Sequence, residues 1–223
     1  MKKYAIIVAG GAGTRMGTEI PKQFLEIKGK PVLMHSMNRF FNFDNNIYII
    51  VVLPEHQIEY WKALCVSHDF KIAHQIVKGG IERYYSVKSG LSLVEENGLV
   101  AIHDAVRPLV SSKTIEDAFE AAMHYGSGIP AIPMNESIRQ FEGQKNFAVN
   151  RGHYKIIQTP QCFSSSAILA AFKQEYKIEF TDDATVLEAA GINVHLTLGN
   201  VENLKITTPR DLLLAEALMD FVK

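Results

Sequence analysis

The 223-residue sequence predicts an α/β fold with a mostly parallel central sheet. Short β-branched runs alternate with segments of helical periodicity, as doubly wound α/β folds require. A glycine-rich segment follows the first of these runs, and polar motifs follow two later ones. Because ligands in such sheets bind beyond the carboxyl ends of the strands, we expect these segments to lie together at one edge.

The predicted elements follow the chain in a regular order. Residues 5–8 (AIIV) are short and apolar, which is typical of an inner strand of a parallel sheet. The run over residues 48–53 ends at Pro54, and the run over residues 99–103 leads into HDAVRP. The full set is strands over residues 5–8, 48–53, 71–77 and 99–103, with one helix over residues 55–66 and another between Gly80 and Glu96.

Residues 135–152 (NESIRQFEGQKNFAVNRG) do not follow this alternation. Two short stretches of interleaved polar and apolar residues flank Glu142-Gly143-Gln144, which predicts a β-hairpin. The segment has too few large apolar residues to lie in the core, so we expect it to project as an arm. An isolated hairpin is marginally stable in water and needs a surface to pack on. The alternative is a decorative surface hairpin.

The segment after the first strand has the composition of a phosphate-binding loop. Gly10, Gly11 and Gly13 let the backbone turn sharply and approach a ligand closely. Successive free N–H groups in such a turn form a concavity that suits phosphate oxygens. Arg15 and Lys22 add positive charge around the same anion. We interpret the loop as a polyphosphate site; the alternative is a tight turn with incidental cations.

Two common phosphate loops do not fit this segment. The P-loop spacing G-x-x-x-x-G-K-[ST] is absent, because Gly17 is followed by Thr18. The dinucleotide fingerprint G-x-G-x-x-G also fails, because Met16 stands where its third glycine belongs. The glycines therefore indicate a different class of nucleotide site.

The composition excludes several classes of protein. With 47% hydrophobic residues the chain can bury a sizeable core, and we expect residues 1–223 to form one domain. A net charge of −1 provides no general basic footprint for a nucleic acid. No apolar stretch approaches the length of a membrane span. Cys65 and Cys162 lack CxxC spacing, so they predict neither a disulfide framework nor a zinc site, and a cytoplasmic location is expected.

Six ordered motifs resemble those of nucleotidyltransferases that join a nucleoside triphosphate to a sugar or polyol phosphate. The first is A-G-G-x-G-x-R-M-G followed by P-K-Q-F. The others are GGIERYYSV (79–87), HDAVRP (103–108), QTPQCF (158–163), TDDATVLE (181–188) and NLKITTPRDL (203–212). Together they resemble the cytidylyltransferases, in particular the 2-C-methyl-D-erythritol 4-phosphate cytidylyltransferase family, over about residues 4–218.

The resemblance implies a three-layer, Rossmann-like nucleotidyltransferase fold with a projecting β-hairpin arm. It implies that the arm crosses to a second subunit and completes that subunit's substrate site, so the protein is expected to be a homodimer. Mg²⁺ is the implied cofactor, held mainly by the triphosphate of CTP, with Asp104 as the metal-ligand candidate.

The resemblance also implies the contacts to both substrates. The implied CTP-binding residues are Ala9, Gly10, Gly11, Gly13, Gly80 and Ser86. The implied polyol-phosphate-binding residues are Asp104, Arg107, Thr159 and Thr181 from one subunit and Ser137 from the other subunit's arm. The implied catalytic residues are Arg15, Lys22, Lys205 and, from the arm, Arg151. Relatives usually carry threonine at the position of Ser137, which affects only packing.

Several of these residues have a structural alternative. Asp104 at a strand end can bind a hydroxyl, ligate Mg²⁺ or only cap the next turn, and Arg107 can simply pair with it. His103 follows an apolar strand and is interpreted as a buried structural histidine. Lys205 lies in an apolar run, which costs free energy unless an anion meets it, and this favours a site.

Two further contacts rest chiefly on the resemblance. Ser86 near a helix start can equally be a cap. Thr181 precedes Asp182 and Asp183 and forms a strong helix N-terminus with them.

Three functions fit the sequence. We favour cytidylyl transfer from CTP to 2-C-methyl-D-erythritol 4-phosphate, and the second is the same reaction with ribitol 5-phosphate or another polyol phosphate. The third, a nucleotide-binding module without turnover, is opposed by the presence of Arg15, Lys22 and Lys205 together. The predicted reaction is attack of the polyol phosphate on the α-phosphorus of CTP. Because a phosphate is already ionised near neutral pH, no general base is predicted.

Overall fold

The computed structural model describes residues 1–10 and 20–222. The described strands are β1 (Lys2–Val8), β2 (Glu26–Ile27), β3 (Lys30–Pro31), β4 (Tyr48–Leu53), β5 (Gln75–Lys78), β6 (Gly98–Asp104), β7 (Ser127–Pro133), β8 (Arg139–Glu142), β9 (Lys145–Ala148), β10 (Lys155–Ile157), β11 (Gln161–Ser164) and β12 (Leu196–Leu198). The described helices are α1 (Val32–Phe43), α2 (Ile58–Ser67), α3 (Arg83–Leu91), α4 (Ser112–Tyr125), α5 (Ser165–Ala171), α6 (Asp183–Ala189) and α7 (Pro209–Leu218). Short 3₁₀ helices lie at Lys22–Phe24, Glu55–Gln57, Arg151–His153 and Met219–Phe221.

Eight of the described strands form one sheet in the order β10-β7-β11-β6-β1-β4-β5, with β12 paired to β7. Val8 at the end of β1 lies beside Val52 of β4 and Asp104 of β6, both in parallel register. Strands β5, β4, β1, β6, β7 and β12 run in one direction, whereas β10 and β11 run in the other. The sheet is therefore mostly parallel, as predicted, and the carboxyl ends of β1, β4, β5 and β6 meet at one edge.

Helices cover both faces of this sheet. Successive residues of a strand face opposite sides. Ala5 and Ile7 of β1 therefore pack with α1, α2 and α4, while Tyr4 and Ile6 pack with α3, α5 and α6. A third cluster around Ile206 packs α7 against the end of the sheet. The predicted three-layer α/β arrangement is confirmed.

Local sequence signals set the helix ends that border the sheet edge. The Ser111 side chain accepts from the N–H of Thr114 and begins α4, and Gly126 ends that helix at a left-handed φ of 85°. Asp182 forms a capping box with Thr185 and begins α6. The helix N-terminus predicted at TDD is thus confirmed.

Two elements are shorter than predicted. β5 covers Gln75–Lys78 rather than residues 71–77, because its register with β4 begins at the pair Ile50↔Gln75. Helix α3 ends at Leu91 rather than near Glu96. There the Ser92 hydroxyl donates to the Ser89 carbonyl at 2.7 Å, a local bond that competes with helical continuation.

The predicted hairpin is formed by β8 and β9, whose register closes at Glu142↔Lys145. Gly143 in the turn has a φ of 61°, a conformation that favours glycine. Every residue of both strands is exposed, and the two strands form a sheet of their own. The segment therefore projects from the main sheet as an arm. No helix in the described part of the chain is long and apolar enough to cross a membrane.

Candidate active site

A cavity of about 310 Å³ lies at the carboxyl edge of the sheet. Ala9 and Gly10 line it directly after β1, and Ser86 lines it from α3. Lys22 and Asp104 contribute from the 3₁₀ turn and from the end of β6. Segments that are far apart in the chain thus meet at the edge where the strand order predicts a ligand site. We call this space the first cavity.

Gly80 is held beside the first cavity by Ser86. The Gly80 N–H donates to Ser86 Oγ at 3.1 Å, and the Ser86 hydroxyl lies 3.2 Å from the Glu82 carbonyl oxygen. A Cβ at Gly80 would lie 2.3 Å from the Cβ of Tyr85, so the turn requires glycine. Ser86 is inside α3 rather than at its cap, so the capping alternative is wrong for this residue.

Buried Gln23 fixes the backbone where β1 leaves the sheet. Its Nε2 donates to the Ala9 carbonyl at 2.9 Å and to Gln57 Oε1 at 2.6 Å. The Ala9 N–H donates to the Val52 carbonyl at 2.9 Å. Both polar backbone groups of Ala9 are therefore engaged, which stiffens the entry to the glycine loop. Sequence reasoning missed Gln23, although it lies inside the PKQF motif.

Asp104 lies among three cations of the described residues. Its carboxylate oxygens are 3.0 Å from Lys205 Nζ, 3.5 Å from Arg107 Nε and 3.7 Å from Arg83 Nε. Burial alone would raise the pKa of Asp104, but the charges of Arg83, Lys205 and Arg107 hold it well below its usual range. Asp104 is therefore ionised at neutral pH. The anion expected near Lys205 is, in this arrangement, the Asp104 carboxylate.

Backbone carbonyls anchor two cations of the site, Arg107 and Lys22. Arg107 Nη1 donates to the Asn203 carbonyl at 2.7 Å, and buried Asn203 donates from its own amide to the Thr159 carbonyl at 2.8 Å. Lys22 Nζ donates to the Ile206 carbonyl at 3.3 Å. These bonds tie the segment that carries Lys205 to the rest of the site. Arg107 does pair with Asp104, as its structural alternative proposed.

His103 is fully buried beneath Asp104 and forms a directed chain of hydrogen bonds. Its Nε2 lies 3.0 Å from the Arg107 carbonyl oxygen, which can only accept, so Nε2 carries the proton. Nδ1 then accepts from the Thr159 hydroxyl at 3.1 Å, and that hydroxyl oxygen accepts from the Asp104 N–H at 3.1 Å. Burial lowers the pKa of His103 to about 4, so the ring is neutral. This arrangement matches the structural role predicted for His103.

A second cavity of about 170 Å³ adjoins the first. The two cavities share Arg83, Asp104 and Lys205 as lining residues. The second cavity also has Arg107, Thr159 and Thr181 among its lining residues. Four polyol-site residues nominated from one subunit (Asp104, Arg107, Thr159 and Thr181) are thus brought together around it. Because the proton of the Thr159 hydroxyl is engaged by His103, Thr159 can offer a ligand only an oxygen lone pair.

Gln161 fixes the start of α6 beside the second cavity. Its Oε1 accepts from the N–H groups of Asp183 and Ala184 at 3.0 and 2.9 Å. Its Nε2 donates to Asp182 Oδ2 at 2.7 Å. Buried Gln161 therefore satisfies both the helix N-terminus and the capping carboxylate. The sequence offered no signal for this residue beyond its presence in QTPQCF.

Ser137 and Arg151 lie on the arm and line a separate cavity of about 500 Å³ that is formed by arm residues. Arg151 Nη1 donates to the Asn135 carbonyl. Neither residue lines the first or the second cavity within the chain. The structure therefore does not bring these two nominated residues to Asp104 of the same subunit. Gly11, Gly13 and Arg15 lie outside the described residues.

The family of this chain follows from its similarity to known proteins. Residues 4–220 match the family model of 2-C-methyl-D-erythritol 4-phosphate cytidylyltransferase. The chain belongs to this family.

Relatives and solved structures within the cytidylyltransferase group match the chain over nearly its whole length. The enzyme of Azobacteroides pseudotrichonymphae is 48% identical over 98% of this chain and 99% of its own length. That of Bacteroides thetaiotaomicron is 47% identical over 98% and 100%. The crystal structure of 4-diphosphocytidyl-2C-methyl-D-erythritol synthase from Anaerococcus prevotii superposes with a TM-score of 0.82 at 26% identity, covering 98% of both chains. The Thermus thermophilus cytidylyltransferase gives 0.78 at 28%, covering 99% of this chain and 100% of its own.

Nucleotidyltransferases of this family generally depend on a divalent metal. No group of three or more His, Cys, Asp or Glu side chains in the described part of the chain is arranged to hold one. Asp104 offers one carboxylate, and its charge is already compensated by three cations. This donor set fits a metal that takes most of its ligands from a bound triphosphate.

Proposed function

We propose that this protein transfers the cytidylyl group of CTP to 2-C-methyl-D-erythritol 4-phosphate, giving 4-diphosphocytidyl-2-C-methyl-D-erythritol and pyrophosphate. This is a step of the non-mevalonate route to isoprenoid precursors. The observation that carries the proposal is the family match over residues 4–220. The paired cavities with shared cations are consistent with it, because both substrates are anions that must meet.

The first cavity is the proposed CTP site. Ala9 and Gly10 line this cavity, and Ser86 keeps the adjacent Gly80 turn in place. Backbone groups of Ala9, Gly10 and Gly80 are proposed to meet the cytosine amine, with Ala9 offering the second lone pair of a carbonyl that already accepts from Gln23. A carbonyl that accepts from the amine is left unpaired by UTP, which is the proposed basis of base selection. The loop glycines Gly11 and Gly13 are proposed to receive the triphosphate.

The second cavity is the proposed polyol phosphate site. Asp104 accepts from a substrate hydroxyl, with Thr159 and Thr181 nearby. Arg107 acts mainly by holding Asp104, given its bond to the Asn203 carbonyl. Lys205 also lies in the wall that the two cavities share, and its side chain is 42% exposed. Lys205 is therefore proposed to turn from Asp104 toward a substrate phosphate.

The chemistry is positioning and charge stabilisation rather than acid–base catalysis. A phosphate oxygen of the polyol phosphate attacks the α-phosphorus of CTP, the new P–O bond forms, and the bond to the departing pyrophosphate breaks. Arg15, Lys22 and Lys205 hold the negative charge that builds on the α-phosphoryl oxygens. His103 is neutral and fully engaged, which fits a reaction that needs no general base.

Mg²⁺ is the proposed metal, held mainly by the triphosphate with at most one oxygen from Asp104. When bound, it neutralises triphosphate charge and makes pyrophosphate a better leaving group.

The arm is proposed to complete the site of a second subunit in a homodimer. On the arm, Phe141 and Phe147 are 71% and 48% exposed. Exposing two aromatic side chains to water is unfavourable for a hairpin that is only marginally stable by itself, which favours a partner surface. Ser137 and Arg151 would then serve the neighbour's polyol phosphate. We further propose that residues 1–223 are one domain. The free thiols Cys65 and Cys162 suit a cytoplasmic enzyme.

The proposal is tested by measuring pyrophosphate release from CTP with 2-C-methyl-D-erythritol 4-phosphate, with ribitol 5-phosphate and without acceptor. We expect turnover with the first that is lost in EDTA, restored by Mg²⁺ and much slower with UTP. Faster turnover with ribitol 5-phosphate would assign a different polyol. Equal rates with CTP and UTP would remove the protein from the cytidylyltransferases.

A further inference from the structure

Arg83 lies in the wall that the first and second cavities share. It is the first residue of α3, and it meets Asp183, the first residue of α6. The Arg83 Nη1 and Nη2 atoms donate to the two Asp183 carboxylate oxygens at 2.8 and 2.7 Å. The Asp183 side chain is only 1% exposed. This is a two-point, charge-assisted contact between helices on either side of the cleft.

The surroundings of Asp183 make this contact rigid. Gln161 accepts from the Asp183 N–H, and Asp182 caps the same helix start. The charges of Asp183 and Asp104 outweigh the effect of burial and raise the pKa of Arg83, which keeps the guanidinium charged. Asp183 is therefore a fixed anchor rather than a mobile partner.

A buried ion pair is weak evidence of a purely stabilising role. Removing two charges from water is costly, and well-packed apolar residues often stabilise a fold as well as a buried ion pair does. The pair does, however, leave the Arg83 Nε free to face Asp104 Oδ1 at 3.7 Å. Within the described part of the chain, three cations surround Asp104, and of these Arg83 is the one clamped by a second carboxylate.

We propose that Arg83, clamped by Asp183, is a positioning residue that holds the Asp104 carboxylate toward the second cavity and joins the two substrate sites. The inference rests on the proposed function. With Asp104 held from the Arg83 and Arg107 sides, Lys205 can leave Asp104 for a substrate phosphate without releasing the carboxylate. The pair thus keeps the polyol site assembled while the reacting groups approach.

The test compares R83K and D183N with the wild-type enzyme. R83K keeps the charge but loses the planar fork, and D183N keeps the shape but loses the anion. We expect kcat/KM for the polyol phosphate to fall about 10²-fold in R83K, because misplacement of a group by about 1 Å can cost that much. D183N should fall in the same direction. CTP affinity, measured by equilibrium titration without polyol phosphate, should stay near the wild-type value in D183N, because Asp183 lines neither cavity. In R83K it should fall much less than kcat/KM for the polyol phosphate, because Arg83 also lines the first cavity.

R39K is the matched control for losing an arginine fork. Arg39 is half-buried, donates to the Pro108 and Val222 carbonyls and lines neither cavity. Thermal unfolding of every variant gives the folded fraction at the assay temperature. If R83K and D183N lose activity only in proportion to that fraction, as R39K should, the pair is merely structural and the proposal is overturned.

A double-variant cycle keeps the proposal testable if one single variant folds poorly. If Arg83 acts through Asp104, D183N/D104N should lose little more activity per folded molecule than D104N alone. Losses that multiply would overturn the proposal. A wild-type enzyme without turnover on CTP and polyol phosphate would instead refute the proposed function, whereas an active wild type with an unimpaired R83K refutes only this inference.

Discussion

Acidification is expected to destabilise the fold through His103 in particular. The ring is fully buried, packs edge-on against Phe40 with ring centroids 5.0 Å apart, and has both nitrogens engaged. The charge of Asp104 favours protonation of this ring and that of Arg107 opposes it, but burial dominates and lowers the pKa of His103 to about 4. Protonation would also turn Nδ1 into a donor facing the Thr159 hydroxyl, whose proton would have to reorient.

The size of the effect follows from proton linkage. An unfolded histidine has a pKa of 6.5, so as the pH falls the unfolded chain binds the proton first. The stability that comes from keeping His103 neutral and buried is therefore retained above about pH 7, and it is lost as the pH falls through 6.5 toward about 4. At about 1.4 kcal/mol per pKa unit, the loss is roughly 2 kcal/mol by pH 5 and about 3 kcal/mol near pH 4.

The H103Q variant isolates this contribution, because its amide can still donate to the Arg107 carbonyl but does not titrate. Urea unfolding of both proteins is followed from pH 7.5 to 4.5 through the fluorescence of buried Trp61, the single tryptophan. The difference in unfolding free energy should be constant above pH 7 and shrink below it. A difference that stays constant down to pH 4.5 would refute the neutral, buried histidine.

Three further predictions concern the site itself. K22A and K205A should each lower kcat about 10²–10³-fold. K113A, which removes an exposed lysine from α4, should leave kcat unchanged. A change in KM for CTP with unchanged kcat in K22A or K205A would contradict their role in stabilising the transition state. G80A should weaken CTP binding, measured by titration calorimetry, because the added Cβ forces the turn to move. An affinity equal to that of the wild type would show that the turn does not shape the base site. A mixed dimer of K22A and R151A chains should recover up to about half of the wild-type dimer's activity, and mixed dimers that form but remain inactive would mean that Arg151 acts within its own chain.

The fold could be predicted well from the sequence because its signals are local. The strands Lys2–Val8 and Tyr48–Leu53 contain runs of β-branched residues, and Gly143 lies in the turn that joins two stretches of alternating polar and apolar residues. The errors lay at element ends, such as β5, where pairing with β4 rather than propensity sets the start.

The site could be predicted only in part. Asp104 and Lys205 were nominated separately from their own surroundings, yet their contact at 3.0 Å joins segments a hundred residues apart. Arg83 and Gln23 stood inside quoted motifs but were missed. The partner of Arg83 begins a different helix, and Gln23 is a neutral amide that gives no charge signal. Such contacts depend on which elements the sheet order brings together, and no local pattern records that order.

In the proposed reaction, the phosphate of the polyol attacks the α-phosphorus of CTP. This step can be followed by supplying 2-C-methyl-D-erythritol 4-phosphate labelled with ¹⁸O in its non-bridging phosphate oxygens and determining the masses of both products by mass spectrometry. Every labelled oxygen should stay in 4-diphosphocytidyl-2-C-methyl-D-erythritol, one of them in the new phosphate bridge, and the released pyrophosphate should carry none. Label in the pyrophosphate, or consumption of CTP without this product, would contradict the proposed reaction.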